Sequence, residues 1–144
     1  MDRRQIIMNF SHPPSTEDME VIALDALENL PEELQEFCDE LGVSVEDFPD
    51  TATESELDLD DPYDLLALYR SGKEISPGVE KLTASEEDVL VIYRRPILDL
   101  WCETGDDLGV TIRQVMIEEI GRHFEFSDRD IDEMVRRHYQ VMIA

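Results

Sequence analysis

Cysteine and histidine are both scarce in this sequence, and each shortage excludes a class of protein. The 144 residues contain two cysteines, Cys38 and Cys102, which are far apart and form no Cys-x-x-Cys pair. A disulfide framework is therefore excluded, and a reduced, intracellular setting is the simplest interpretation. The three histidines, His12, His123 and His138, include no pair spaced four residues apart. Two histidines at that spacing lie on one face of a helix and can bind the same zinc ion.

Basic residues and long apolar runs are also lacking. The chain has 12 Lys and Arg against 36 Asp and Glu, for a net charge of −24. Such a surface repels nucleic acid and anionic membranes, because both bind through clustered basic side chains. No apolar run reaches the roughly 18 residues of a membrane span, and the N-terminal residues lack the apolar stretch of a secretory signal. The sequence therefore predicts a cytoplasmic location, with an acidic surface that is either simply solvated or attractive to a basic protein or peptide. A phosphate-binding glycine loop and a G-x-S-x-G elbow are both absent.

The hydrophobic pattern predicts a single α+β domain with a small three-stranded sheet and several helices. We expect a flexible leader over 1–14, the domain over 15–138 and a C-terminal tail over 139–144. Helical spacing and capping residues predict helices that begin near Ser15, Pro31, Pro96, Asp106 and Ser127. Runs of β-type residues predict strands over 43–48, 65–69 and 89–93.

The longest predicted helix, residues 106–124, has apolar residues at steps of four. Leu108, Ile112, Met116, Ile120 and Phe124 form this stripe, which should bury against the sheet.

Smaller features around these elements also lead to predictions. Thr104 and Asp107 form a plausible capping pair for the long helix. The acidic segment 50–62 is expected to be a loop with at most one helical turn, and Cys102 beside Trp101 to be a core residue.

Five segments, in order, resemble the small bacterial zincin-like metallopeptidases, which are also described as minimal matrix-metalloprotease-like domains. The segments are VSVEDFP at 43–49, DLLALYR at 64–70, IYRRPIL at 92–98, WCETGDDL at 101–108 and IEEIGRHF at 117–124, followed by FSD at 126–128. The resemblance covers residues 17–137 and implies a zincin-like fold with its active-site helix packed across the sheet. It also implies zinc as the cofactor and peptide hydrolysis as the activity.

The family's active-site helix resembles H-E-x-x-H-H-F-G, followed by x-S-D. Two histidines at i and i+4 share a helix face and hold one zinc ion, and the glutamate activates the zinc-bound water. Matched to this pattern, the chain keeps the general-base position as Glu119, the neighbouring histidine as His123 and the aspartate as Asp128. Glu118 and Arg122 replace the two zinc-binding histidines, and an arginine cannot bind a metal because it stays protonated.

The substitutions suggest that an ion pair replaces the metal. Glu118 and Arg122 are spaced i,i+4 in the favourable order, so we expect Arg122 to neutralise the carboxylates of the site. The family's glycine after the helix is Glu125 in this chain.

Two further interpretations concern His123 and a pair of arginines. Glu119 and His123 share a helix face. They could hold a metal with Glu118 and Asp128, or serve as an acid–base pair. The expected arrangement is that His123 packs or caps near the helix end and that Glu119 pairs with Arg122. Arg94 and Arg95 are expected to form structural ion pairs, with a grip on a substrate carboxylate as the alternative.

The sequence therefore leaves several functions open. The first is a catalytically impaired or inactive zincin-like relative that binds no metal. The others are a non-catalytic, acidic interaction or regulatory module, and an atypical metal hydrolase that uses Glu119, His123 and Asp128.

Overall fold

Six α-helices and three β-strands make up the part of the chain that the computed structural model describes, residues 13–71 and 88–143, with side chains described as far as residue 137. The helices are α1 (Thr16–Glu28), α2 (Glu32–Gln35), α3 (Thr51–Leu57), α4 (Arg94–Thr104), α5 (Leu108–His123) and α6 (Asp128–Ile143). The strands are β1 (Gly42–Glu46), β2 (Ala67–Arg70) and β3 (Val89–Tyr93), and a 3-10 turn covers Pro62–Asp64. The predicted α+β class is confirmed. Residues 1–12, which make up most of the predicted leader, lie outside the described part.

The sheet is mixed, with the order β1-β3-β2. β1 runs parallel to β3 in the register Val43↔Leu90, and β2 runs antiparallel to β3 in the register Tyr69↔Leu90. β3 is central because its β-branched, apolar residues are buried on both faces, as the short apolar run 89–93 predicts. β2 is therefore an edge strand of the sheet, and it packs against α5.

The core lies between the sheet and the helices α1 and α5. The predicted apolar stripe of α5 is buried from Leu108 to Ile120, and Phe124 packs partly buried at its end. α1 begins as predicted, with a capping box in which Ser15 and Asp18 satisfy each other's backbone N–H groups.

Several local predictions are wrong, for identifiable reasons. Segment 50–62 contains a two-turn helix, α3, because Asp50 caps its start through the Thr53 N–H and Asp58 ends it in the left-handed conformation. The helix α4 begins at Arg94, near Pro96 as predicted, because the missing N–H of a proline costs nothing in a first turn. Asp107 is itself the cap of α5, with its side chain accepting from Gly109 and Val110, so Thr104 is not the capping residue.

Cys102 is exposed on α4, so the prediction that it is a core residue is also wrong. Cys38 is the buried cysteine, and burial raises the pKa of its thiol to about 12. No helix in the described ranges is both long and apolar enough to cross a membrane.

Candidate functional site

The last two turns of α5 carry the candidate site, and Glu119 is its central residue. One carboxylate oxygen of Glu119, Oε2, accepts a hydrogen bond from the backbone N–H of Tyr69 at 3.1 Å. Tyr69 lies on β2, fifty residues earlier in the chain, so this contact joins the helix to the edge strand of the sheet. The Glu119 side chain is only 17% exposed, which makes the hydrogen bond stronger than one at the open surface.

The other oxygen of Glu119 pairs with Arg122. Oε1 lies 3.2 Å from Nη2 of Arg122, and the arginine side chain is 63% exposed. Of the two pairs that the sequence suggests for Arg122, the expected one with Glu119 at i,i+3 therefore forms, and no ion pair between Arg122 and Glu118 occurs among the described residues. Both oxygens of the residue at the general-base position are thus occupied by donors of the protein itself.

His123 lies flat against the ring of Tyr69. The ring centroids are 3.6 Å apart and the planes differ by 8°, which is a stacked arrangement. The Tyr69 hydroxyl donates a 2.6 Å hydrogen bond to Oδ2 of Asp88, a fully buried carboxylate, and burial together with this bond raises the pKa of Tyr69. Phe124 meets the Tyr69 ring edge-on at 5.6 Å. His123 is therefore packed near the helix end, as the sequence led us to expect.

Glu118 occupies the position of the first zinc-binding histidine and is partly buried. Burial raises the pKa of its carboxyl group, and the nearby Asp132 adds to this, whereas a hydrogen bond from Gln114 and the charge of Arg122 act in the opposite direction. Burial has the largest effect on this pKa, because removing a carboxyl group from water disfavours its charged form. The Glu118 side chain thus bonds to Gln114, one turn earlier on α5, in surroundings where ionising the carboxyl group costs energy.

Asp128 begins α6 and is exposed. Ser127 precedes it and caps the helix, because its hydroxyl accepts from the Asp130 N–H at 3.1 Å, as predicted. Asp128 lies in the first turn of the helix, where a negative charge is favourable. This role requires no metal.

These residues do not fit a zinc ion. Zinc needs three or four converging nitrogen, sulfur or oxygen ligands, and no group of three such side chains occurs among the described residues. Arg122 offers only donors and a positive charge, and the two oxygens of Glu119 already accept from protein groups. The remaining imidazole, His123, is stacked on Tyr69.

The turn after α5 has a left-handed residue, Glu125, at the position where the family pattern has glycine. Glu125 has φ +63°, in the left-handed region, and the Phe126 N–H bonds to the Gly121 carbonyl while the Glu125 N–H bonds to the Arg122 carbonyl. This pair of bonds is the Schellman motif, which usually has glycine at the left-handed position. The backbone that leads from α5 to Asp128 therefore makes a left-handed turn without a glycine.

Arg94 and Arg95 behave differently from each other. Arg94 forms the expected ion pair, with Nη1 3.1 Å from Asp47, and its Nε donates to the Pro14 carbonyl at 2.6 Å. Arg95 instead lies over the ring of Phe48, with 5.5 Å between the guanidinium carbon and the ring centroid. The prediction of an ion pair holds for Arg94 alone.

The comparison with known families agrees with this architecture. The model of the zincin-like metallopeptidase family matches residues 38–138, well over half of the chain. The chain therefore belongs to the zincin-like metallopeptidase family. No curated protein matches the sequence.

Two residues of the site could not be assigned to it from the sequence. Tyr69 lies in the DLLALYR segment that resembles the family, but the segment gives the residue no role, and no motif marks Asp88. Tyr69 joins the site because β2 packs against α5, and Asp88 joins it through the Tyr69 hydroxyl; both are tertiary contacts without a local sequence signal.

Proposed function

We propose that this chain is a catalytically impaired member of its family, in which the zinc centre is replaced by a metal-free structural cluster. The observation that carries the proposal is that Arg122, at the position of the second zinc-binding histidine, pairs with Oε1 of Glu119 while the Tyr69 N–H holds Oε2. A general base in this family acts on water bound to zinc, and here a guanidinium, which cannot bind a metal, lies beside the carboxylate. Glu119 instead fastens α5 to β2.

Charge balance supports the same proposal. A zinc ion would bring two positive charges to the end of α5, which carries the carboxylates of Glu118 and Glu119. Arg122 supplies one permanent positive charge at the place of the second histidine, beside Glu119 and close enough to influence Glu118. A metal approaching this position would meet the repulsion of the guanidinium.

The test is the zinc content of the purified protein. The protein is prepared without a metal-binding tag, stripped with a chelator and dialysed against trace zinc, and the bound ions per chain are counted. We expect no zinc above background and no peptidase activity. The matched control is the double variant Glu118→His/Arg122→His, which restores two imidazoles at i and i+4 in the same scaffold and should gain zinc affinity.

Stoichiometric zinc in the unmodified chain would overturn the proposal, above all if His123→Ala or Asp128→Ala abolished the binding. That result would instead support the atypical metal hydrolase that uses Glu119, His123 and Asp128.

An interaction role is the second candidate, and one surface favours it. The helix α1 exposes Val21 and Leu24, which are 60% and 46% accessible and are flanked by the acidic Glu17 and Glu20. An apolar pair within an acidic face suits a basic, amphipathic partner helix. The affinity for a basic amphipathic peptide should fall when salt is added, and it should also fall in the variant Val21→Ser/Leu24→Ser. An affinity that falls with salt but is unchanged in the variant would reduce the role to non-specific charge attraction.

A further inference from the structure

A cavity of about 570 Å³ lies beside α4 and shares no residue with the Glu119 cluster. Its lining includes apolar and aromatic side chains, those of Leu98 and Trp101 of α4 and of Tyr63 in the 3-10 turn. Its volume falls within the range of small-molecule sites, about 300–1,000 Å³. The cavity can therefore accept an organic group of moderate size.

The charged residues of the lining are Arg94, Arg95 and Asp99. The donors of Arg94 are used within the protein, because its guanidinium donates hydrogen bonds to Asp47 and to the Pro14 carbonyl and its side chain is only 17% exposed. It holds the wall of the cavity in place, and its charge is balanced by Asp47. Arg94 is therefore a structural residue of the site.

Arg95 is exposed, and no carboxylate of the described residues lies within ion-pair distance of its guanidinium. This is unexpected in a chain with three times as many acidic as basic residues. The guanidinium carbon of Arg95 lies 5.5 Å from the centroid of the Phe48 ring, and Phe48 in turn packs edge-on against Tyr63 at 5.1 Å. A cation–π contact of this kind uses none of the N–H groups of the guanidinium as hydrogen-bond donors, so they can donate to a ligand.

We propose that the cavity binds a small carboxylate with an apolar or aromatic body. The carboxylate accepts from Arg95, since a planar guanidinium matches a carboxylate with two parallel hydrogen bonds. The body of the ligand packs against Leu98 and Trp101. The negative charge of the protein, including that of Asp99 in the same lining, opposes an anion. Physiological salt screens the charges that lie beyond about 8 Å, and the contact with Arg95 is direct.

The same chemistry occurs in a free organic acid and at the C-terminus of a peptide that ends in an aromatic residue. The experiment separates these two sources. Trp101 is the single tryptophan of the chain and lines the cavity, so its fluorescence reports binding directly.

The full-length protein is titrated with phenylacetate and with phenylacetamide, which has the same body without the charge. We expect a saturable change in Trp101 fluorescence with phenylacetate and at least about tenfold weaker binding of the amide, because a hydrogen bond to a charged group is lost. A short acetylated peptide ending in phenylalanine is compared as the free acid and as the C-terminal amide. Tighter binding of the peptide acid than of phenylacetate assigns the site to peptide ends, and weaker binding assigns it to free acids.

Variants at position 95 complete the test. Arg95→Ala should weaken phenylacetate binding about tenfold, and Arg95→Lys should fall between the two, because lysine keeps the charge but loses the planar fork. The control is Arg136→Ala, which removes an equal charge from an exposed position on α6, outside the cavity, and should leave the affinity unchanged. Equal affinity for acid and amide, or an Arg95→Ala variant that is folded by circular dichroism and binds as tightly as the parent, would overturn the proposal.

Discussion

Replacing Gly121 with alanine tests the closest approach of α5 to α6. A Cβ atom at this position would lie 2.8 Å from Cγ1 and 3.1 Å from Cδ1 of Ile131, and both residues are buried. Overpacking of this kind costs about 1–3 kcal/mol, whereas alanine is favoured over glycine inside a helix by about 1 kcal/mol. We therefore expect a net loss of about 1 kcal/mol in the free energy of unfolding.

A double-mutant cycle separates the two contributions. Ile131→Ala removes the atoms that the new methyl group would meet, at a cost of about 2–5 kcal/mol on its own. In that background Gly121→Ala should reverse its sign and stabilise the protein by up to about 1 kcal/mol. The coupling between the two sites is then about 1–3 kcal/mol.

The assay is urea unfolding of the four proteins, followed by circular dichroism, with the slopes compared to confirm two-state behaviour. An equal cost of Gly121→Ala in both backgrounds would refute the reasoning, because it would show that contact with Ile131 does not limit the size of residue 121. A large change in slope would indicate instead that the variant alters the compactness of the folded or unfolded state.

Two further predictions concern the end of α5 and an exposed ion pair. Glu125 has φ +63°, a left-handed conformation that costs energy for any residue except glycine. Glu125→Gly should therefore raise the free energy of unfolding, measured in urea titrations, by about 1 kcal/mol. A lower free energy of unfolding would mean that the glutamate side chain itself stabilises the turn. Glu33 accepts two 2.8 Å hydrogen bonds from Arg137, and these bonds lower the pKa of its carboxyl group. The ion pair therefore contributes its full stability above the pKa that the carboxyl has in the unfolded chain. That contribution is lost as the pH falls through the lower pKa of the folded state. Since both side chains are about half exposed, Arg137→Ala should cost less than about 1 kcal/mol at neutral pH and nothing in strong acid; a cost that persists in acid would contradict an electrostatic origin.

Local patterns were sufficient wherever an element satisfies its own hydrogen bonds or buries a regular face. The four-residue steps of α5 predict its buried side because side chains one turn apart share a helix face. The helix α3 was missed because Thr51–Leu57 has almost no apolar period, and its existence depends on caps at Asp50 and Asp58. Capping is a weaker local signal than periodicity, so the acidic composition concealed it.

The sequence by itself determined the family, the α+β class, the loss of both zinc-binding histidines and the acidic charge. Each of these can be read from residue identity and spacing alone. Only the tertiary structure decided that Glu119 joins α5 to β2 through the Tyr69 N–H, that His123 stacks on Tyr69, and that Arg95 lines a cavity. The physical reason is that these contacts bring together residues of different elements, and the contact between Glu119 and Tyr69 joins positions fifty residues apart along the chain.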